Sequence, residues 1–518
     1  MGAYNPSILK EPMLQFIGGS ILIYETATNY IGCWCQWCYQ QNFHYALSLI
    51  SFPSLTKIYG SITIQIDHGA YSSYPLLSVF FPALLFSQGG ISVTSPDACS
   101  VAGCNGGCNA ASFAPRYMVV TFSSLQYVNG QLIIVSAVNA LLDTLMTVNG
   151  PLSLTASSGI SLTLLSSVSG LIQLSSSTLY MPALTYVGSS LSMLVTSMAC
   201  NVIIDLLPSI SGSLTLTGAA ASLSMFALGT ISGALTVTCN GVVSMNNLNY
   251  VGGNALVTAN SVVFGVLTTI QGKLSLNSAV VPVMPLLFFI LGSVTFNVGS
   301  GVMNLNSLTS VGGTLTVTGL NTTMILPALS YMLAPASIVL RGSFMNVGFP
   351  NLTIVSGNID VSCTLSGLLS FPLVTQITGS VIFTSSSIGN VSIPMVSTIT
   401  GSVTLTAIQI LPSFILPALI TIQGAQLFMV NISNMTYISF PVLTSLAGNL
   451  AITNAPMLTN VVANSLATAG TFIQMCSNII LAQSNVSLSI RNLAGARLSS
   501  GSCNEVCFLN CSCILFGC

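Results

Sequence analysis

The chain has 518 residues, 52% of them hydrophobic, yet it carries only seven Lys/Arg and eight Asp/Glu, so 3% of positions are charged and the net charge is −1. Typical soluble domains are about 25% charged, so hydroxyls and amides must cover this surface. Nucleic acid is excluded as a partner, since no basic patch exists to neutralise phosphates. A helical membrane span is excluded because polar residues interrupt nearly every apolar run; the longest clean one, Val280 to Leu291, is shorter than the ~20 residues a span needs and holds two prolines.

The N-terminal stretch MGAYNPSILKEPMLQF has no apolar signal-peptide core. Fifteen cysteines follow in three groups. Cys33, Cys35, Cys38, Cys99, Cys104 and Cys108 come first; Cys200, Cys239, Cys363 and Cys476 are scattered; Cys503, Cys507, Cys511, Cys513 and Cys518 crowd the end. Clusters at both ends of a long chain predict disulfide-closed caps in an oxidising compartment. The odd total leaves at least one thiol free or paired with another chain. The expected location is extracellular or at the cell surface, with the leader peptide missing from this sequence.

Between the clusters the chain repeats itself. A short apolar run, often with Pro, leads into V/I-x-G and then an alternating strand, as in LPSISGSLTLTG from Leu207, LTSVGGTLTVTG from Leu308 and FPLVTQITGSVIFT from Phe371. Pre-strand glycines set the period. Early copies sit at Gly19, Gly60 and Gly90, spaced widely enough to hold the cysteine-bearing insertions. Regular copies run through Gly130, Gly150, Gly170, Gly188, Gly212, Gly233, Gly253, Gly272, Gly292 and Gly313. After a double step across Pro335 they continue at Gly357, Gly379, Gly401, Gly424 and Gly448, with a weak last copy at Gly470. In Gly212–Thr217, Leu214 and Leu216 should point inward, and Ser213, Thr215 and Thr217 outward, the period of a half-buried strand. The glycine should supply a corner conformation that a Cβ forbids, and Phe371 and Leu373 the apolar pair of the preceding segment.

No copy can bury a core alone, so copies must stack. The expected fold is all-β, a parallel β-helix or solenoid of roughly 20 coils with 20–24-residue repeats and cysteine-rich ends. Residues 1–118 form N-terminal coils with cysteine-rich insertions, 119–475 the regular solenoid, and 476–518 a C-terminal cap. A leucine-rich repeat with an outer helix has an overlapping period, but the segments between strands are poor in helix formers.

Phe440-Pro-Val-Leu-Thr-Ser-Leu-Ala-Gly-Asn-Leu-Ala-Ile-Thr-Asn454 and Phe52-Pro-Ser-Leu-Thr-Lys-Ile-Tyr-Gly-Ser-Ile-Thr-Ile64 resemble the receptor L-domain family. Its relatives include fungal GPI-anchored cell-wall and sporulation proteins and the ligand-binding lobes of insulin- and EGF-type receptors. The resemblance covers residues 12–475 as a pattern and implies a β-helix-like fold. It carries over no functional residues, and this chain has far more turns and far fewer charges than one L domain.

Catalytic chemistry finds little footing. His44 and His68 have no partner motif. Glu11, Glu25, Asp67, Asp97, Asp143, Asp205, Asp360 and Glu505 are dispersed, whereas solenoid polysaccharide hydrolases need paired carboxylates in one groove. Cys33-Trp-Cys35-Gln-Trp-Cys38 has a C-x2-C spacing without the second pair a zinc site needs, and Cys104–Cys108 reads as a disulfide-closed loop. No enzyme activity, cofactor or metal is expected. Seven N-x-S/T sequons begin at Asn321, Asn351, Asn390, Asn431, Asn434, Asn485 and Asn510. Thr215/Thr217, Thr236/Thr238, Thr316/Thr318 and Thr404/Thr406 should form outward hydroxyl ladders, broken at Leu256, Asn277 and Asn297. Such rows suit O-glycans, lateral packing or, less well, ice binding. The leading expectation is a structural extracellular glycoprotein that builds a filament, wall or coat. Its partners would be further copies of itself or other surface glycoproteins, with N- and O-glycans. The alternative is a surface receptor or adhesin that holds a glycan or protein ligand on a coil face.

Overall fold

The structure, a computed structural model, describes residues 8–10, 13–25, 49–66, 77–94, 118–198, 201–220, 222–333, 335–384, 387–470, 473–476, 481, 485–490 and 492–493. The chain is an all-β parallel solenoid with a repeat of about 22 residues and almost no helix. Residues 118–470 hold about 16 turns. Three further corner strands, Phe16–Ile17, Lys57–Ile58 and Phe86–Ser87, precede them, and these early copies entered the sequence count of roughly 20. Two compact units divide the chain, Met1–Leu248 and Asn249–Cys518.

In the first unit, one coil shows the plan. A pre-turn strand, Ser222–Ser224, leads through a β-turn to a two-residue corner strand, Thr230–Ile231. After the corner glycine comes a post-glycine strand, Leu235–Thr238. Each pairs in parallel with its counterpart one coil earlier: Leu223 with Val202, Ile231 with Ile210, Leu235 with Leu214. Leu214 and Leu216 are fully buried, and Ser213, Thr215 and Thr217 are half-exposed, so the alternation of the sequence is the alternation of the coil wall. Identical positions stack across coils. Phe52, Phe81 and Phe122 form a column with ring centroids 5.0 and 5.3 Å apart, close to the ~4.8 Å spacing of paired strands.

The second unit repeats the plan. Its longest strands, Leu315–Ile325, Ile338–Gly348 and Ile359–Ser370, run from the post-glycine position of one coil into the pre-turn position of the next, with register shifts where they bend. Phe349 and Phe371 stack at 4.8 Å with their rings nearly parallel. The inward partner of Phe371 is Val374, not Leu373, which is 45% exposed. A β-turn separates the two inward positions by three residues, as the bonds from the Leu352 N–H to Phe349 O and from the Leu443 N–H to Phe440 O display.

The corner glycines require a different explanation from the one the sequence suggests. None has positive φ; among the described glycines only Gly218, Gly301 and Gly342 do. What forbids a side chain is the coil beneath. A Cβ on Gly150 would lie 2.6 Å from the carbonyl carbon of Gly130, and one on Gly401 would lie 2.4 Å from that of Gly379. Removing Cβ lets the backbones bond directly: the Gly170 N–H donates to Gly150 O at 3.2 Å, and the Gly401 N–H to Gly379 O at 3.0 Å. The stacking also shifts three assignments, one of them at Gly448, which sits on Ala425 and not Gly424. Gly89, not Gly90, sits on Gly60, and Ser189, not Gly188, lies beneath Gly212.

A second corner, in the last coils of the second unit, does use positive φ. Ala407, Asn431 and Asn454 have φ of 56°, 58° and 56°. They follow the aligned positions Thr406, Val430 and Thr453. Asn tolerates this region better than other L-residues, and Asn454 Nδ2 donates to Asn431 Oδ1 at 2.7 Å.

Candidate functional site

The polar side chains of the coil wall mostly face along the stack. In the first unit, Thr185 Oγ1 donates to Ser166 O at 2.9 Å and Ser166 Oγ to Met146 O at 3.0 Å. In the second, Ser397 Oγ donates to Thr375 O and Thr375 Oγ1 to Thr353 O. The residue after the corner glycine works in the opposite sense. Ser190 Oγ accepts from the Ser213 N–H, and Ser213 Oγ from the Ala234 N–H. In the second unit Ser337, Asn358, Ser380 and Ser402 each accept in turn from the backbone N–H of the next coil. Each such bond adds on the order of 1 kcal/mol and satisfies a corner amide that the strand ladders miss. Ser213, predicted as an outward hydroxyl, is therefore an inter-coil bridge.

The Thr-x-Thr rows are shorter than the sequence suggests. Thr215 does pair with Thr236. In the second unit, however, the same row reads Leu256, Ser275, Thr295, Thr316, Val339, Asp360, Ile382, Thr404, Phe428 and Ala451. Thr316/Thr318 and Thr404/Thr406 lie in separate patches, with apolar and charged residues between them.

Arg341 and Asp360 form the one salt bridge among the described residues, Arg341 Nη2 to Asp360 Oδ2 at 2.6 Å and Nη1 to Oδ1 at 3.1 Å. The hydrogen bonds to Asp360 hold the guanidinium above its ordinary pKa against a smaller opposing effect of burial. Beneath the strand, Cys363 is a buried free thiol, pushed up to about 12 by desolvation, with the Arg341 charge pulling the other way. Cys239 in the first unit is likewise buried and free, its pKa raised by burial and lowered in part by a backbone hydrogen bond from Gly241. Sequence reading left both thiols unassigned and missed the ion pair. Its one signal was a spacing of 19 residues, close to the repeat.

A shallow groove of about 250 Å³ opens nearby, lined by Ile325, Asn346, Gly348, Phe349, Pro350 and Leu368. Gly348 pairs with Ile325 on one side and Ser370 on the other, and its missing side chain makes the notch. Asn346 Oδ1 accepts from the Leu368 N–H at 3.1 Å. The volume falls below the ~300–1,000 Å³ usual for small-molecule sites.

Of the sequons, Asn321, Asn351, Asn390, Asn431, Asn434 and Asn485 are exposed. Asn351 Nδ2 donates to Pro327 O at 2.6 Å and Asn434 Nδ2 to Gln409 O at 2.5 Å. A glycosylated amide keeps one N–H, so either bond can persist with a glycan attached. Asn510 lies outside the described residues, as do Cys33, Cys35, Cys38, Cys99, Cys104, Cys108, Cys503, Cys507, Cys511, Cys513 and Cys518, and His44 and His68. The described aspartates are engaged locally. Asp143 accepts from Ser161 Oγ at 2.7 Å, and Asp205 from Ser224 Oγ and the Phe226 N–H. Among the described residues no group of three His, Cys, Asp or Glu could hold a metal ion, and no helix is long and apolar enough to cross a membrane.

No protein-family model, no curated protein and no solved structure matches the chain.

Proposed function

We propose that this chain is a structural extracellular glycoprotein, a building element of a filament, wall or surface coat that associates with further copies of itself. One observation carries the reading. The described part of the second unit bears only Lys273, Arg341 and Asp360 as charged side chains, while large apolar residues such as Val302, Leu291 and Tyr331 stand more than half exposed. A surface with almost no charge offers no electrostatic barrier to association, and exposed apolar area favours it. The receptor L-domain-like phrasing of the repeats fits a cell-surface or wall protein. Exposed sequons at Asn321, Asn351, Asn390, Asn431, Asn434 and Asn485 supply places for N-glycans.

Light scattering and negative-stain imaging of the full chain, purified from a secreting host, test the reading. Growth of assemblies with concentration supports it, together with a mass loss on enzymatic removal of N-glycans. A monodisperse monomer across all accessible concentrations overturns it. The groove at Gly348 favours a second reading, an adhesin holding a small ligand group; saturable binding abolished by Gly348→Leu would support that instead.

A further inference from the structure

The longest apolar run of the sequence, Val280 to Leu291, forms no helix, and the turn and corner strand of the coil put only some of its residues inside. Met284, Leu287 and Ile290 are buried; Leu286, Phe288, Phe289 and Leu291 are 46%, 41%, 41% and 52% exposed. These four follow one another around a single coil, and the Phe288 and Phe289 rings meet edge to face at 4.4 Å. Together they expose on the order of 300 Å² of apolar surface, taking ~200 Å² for a whole aromatic side chain. Beside the two rings, the coils on either side are small and polar. Phe289 is flanked by Thr269 and Ser310. Phe288 is flanked by Thr268 and Thr309, whose backbone groups bond the same ladder. Leu291 abuts Gly312, where a Cβ would lie 1.9 Å from Leu291 O. The result is an apolar ridge one coil thick between two troughs.

The troughs are ready to be dried. Thr268 Oγ1 already donates to Asn249 O at 2.9 Å and Thr309 Oγ1 to Phe288 O at 3.1 Å. Covering these two threonines strands neither hydroxyl donor, so for them the penalty for burying an unpaired polar group does not arise. No sequon lies between residues 249 and 320, so N-glycans do not grow from these coils.

We infer that the ridge at Leu286–Leu291 is a contact surface for a second copy of this chain, packed with the ridge of each copy in a trough of the other. A charged partner would lose hydration here with only Lys273 of the flanking coil as a counter-charge, whereas a second copy brings a surface as sparsely charged. A ridge beside a trough of matching spacing complements itself under a two-fold axis, the condition for an isologous interface. The ridge supplies less than half of the ~800 Å² per partner that stable complexes bury. The flanking hydroxyl rows must supply the rest, which makes a single contact weak and reversible. The inference rests on the self-associating reading above and names its surface.

Sedimentation equilibrium of the full chain tests it, comparing wild type, F288S/F289S and Thr309→Lys, which puts a charge into the trough. Both variants should raise the dissociation constant by about tenfold or more, with the far-UV circular dichroism of wild type. A benzophenone side chain at position 288 should cross-link to residues 268–310 of a second copy, a readout that needs no destabilising change. Undiminished association of both variants, or cross-links confined to other coils, overturns this surface and leaves the structural reading standing. A wild type that never associates overturns both.

Discussion

Gly401→Ala isolates the stacked-glycine corner. The added Cβ would lie 2.4 Å from the Gly379 carbonyl carbon, 2.4 Å from Ser380 Oγ and 2.5 Å from Gly379 O. Two of the three atoms are backbone, so no rotamer change relieves the clash; the coils must separate by about 1 Å to reach ordinary contact. That separation breaks the 3.0 Å bond from the Gly401 N–H to Gly379 O and weakens the one from the Ser402 N–H to Ser380 Oγ. Overpacking of this kind costs ~1–3 kcal/mol, and a broken corner bond adds ~1–2 kcal/mol, so the expected loss is about 2–5 kcal/mol. Gly348→Ala is the control. Its Cβ would meet nothing closer than the Ile325 side chain at 3.8 Å, so it should be neutral or stabilise by up to ~1 kcal/mol by restricting the unfolded chain. Because repeat stability is largely a sum of nearest-neighbour terms, the assay is hydrogen exchange resolved by coil, alongside denaturant unfolding. Gly401→Ala should lose protection first in the coils around 379 and 424. The steric explanation fails if Gly401→Ala lies within ~0.5 kcal/mol of wild type, or if Gly348→Ala is equally damaging.

Three further outcomes follow from other parts of the second unit. Ala407 holds φ of 56°, a conformation that costs an L-residue with a Cβ ~1–2 kcal/mol and Asn less. Ala407→Asn should therefore raise stability by about 0.5–1 kcal/mol, read as a higher denaturant midpoint, and Ala407→Val should lower it. The Cys363 thiol keeps its proton in the fold up to about 12, against an ordinary value of 9.0. The unfolded chain releases that proton first. Stability from this group is thus full below pH 9 and declines above it by ~1.4 kcal/mol per pH unit; denaturation at pH 8 to 11 should show this slope in wild type and a shallower one in Cys363→Val. Asp360→Asn should cost only ~0.5–1 kcal/mol, since both partners of the ion pair are about a third exposed, and the difference from wild type should shrink in high salt.

The repeat and its inward residues were legible because each is a local pattern: alternation in Leu214–Thr217, a recurring glycine, a proline after the inner aromatic. What the sequence concealed depends on the neighbouring coil. The glycines' spacing was visible, but the reason for them lies about 22 residues away, in the backbone beneath. Leu373 was misplaced because a β-turn and a strand both keep apolar residues close, and only the turn bond distinguishes a spacing of three from two. Arg341 and Asp360 meet because a coil brings them to adjacent rows, and the Gly348 notch exists because its neighbours, not Gly348 itself, have side chains. The Thr rows were over-read for the same reason: a pair of threonines within one strand says nothing about which residues of the next coils lie beside it.

The scarcity of charge takes on a physical sense once the hydroxyls are followed to their partners. A charged side chain at Thr185, Thr375 or Ser397 could not replace a hydroxyl that donates to the carbonyl one coil below, because Lys and Glu are too long to close so short a bond. A Lys or Arg after the corner glycine, at Ser213 or Ser380, would leave the next coil's N–H without its acceptor. Many positions of two outward rows are thus taken by short polar residues that bridge the coils. Solubility must then come from the remaining positions, and in the coils from 249 to 320 several of those are apolar. A monomer gains nothing by exposing Leu286, Phe288, Phe289 and Leu291 on one coil, since that coil's interior is already filled by Met284, Leu287 and Ile290. Apolar residues that the fold does not need, beside the Thr268 and Thr309 hydroxyls it has already satisfied, are the surface that the proposed self-association would cover.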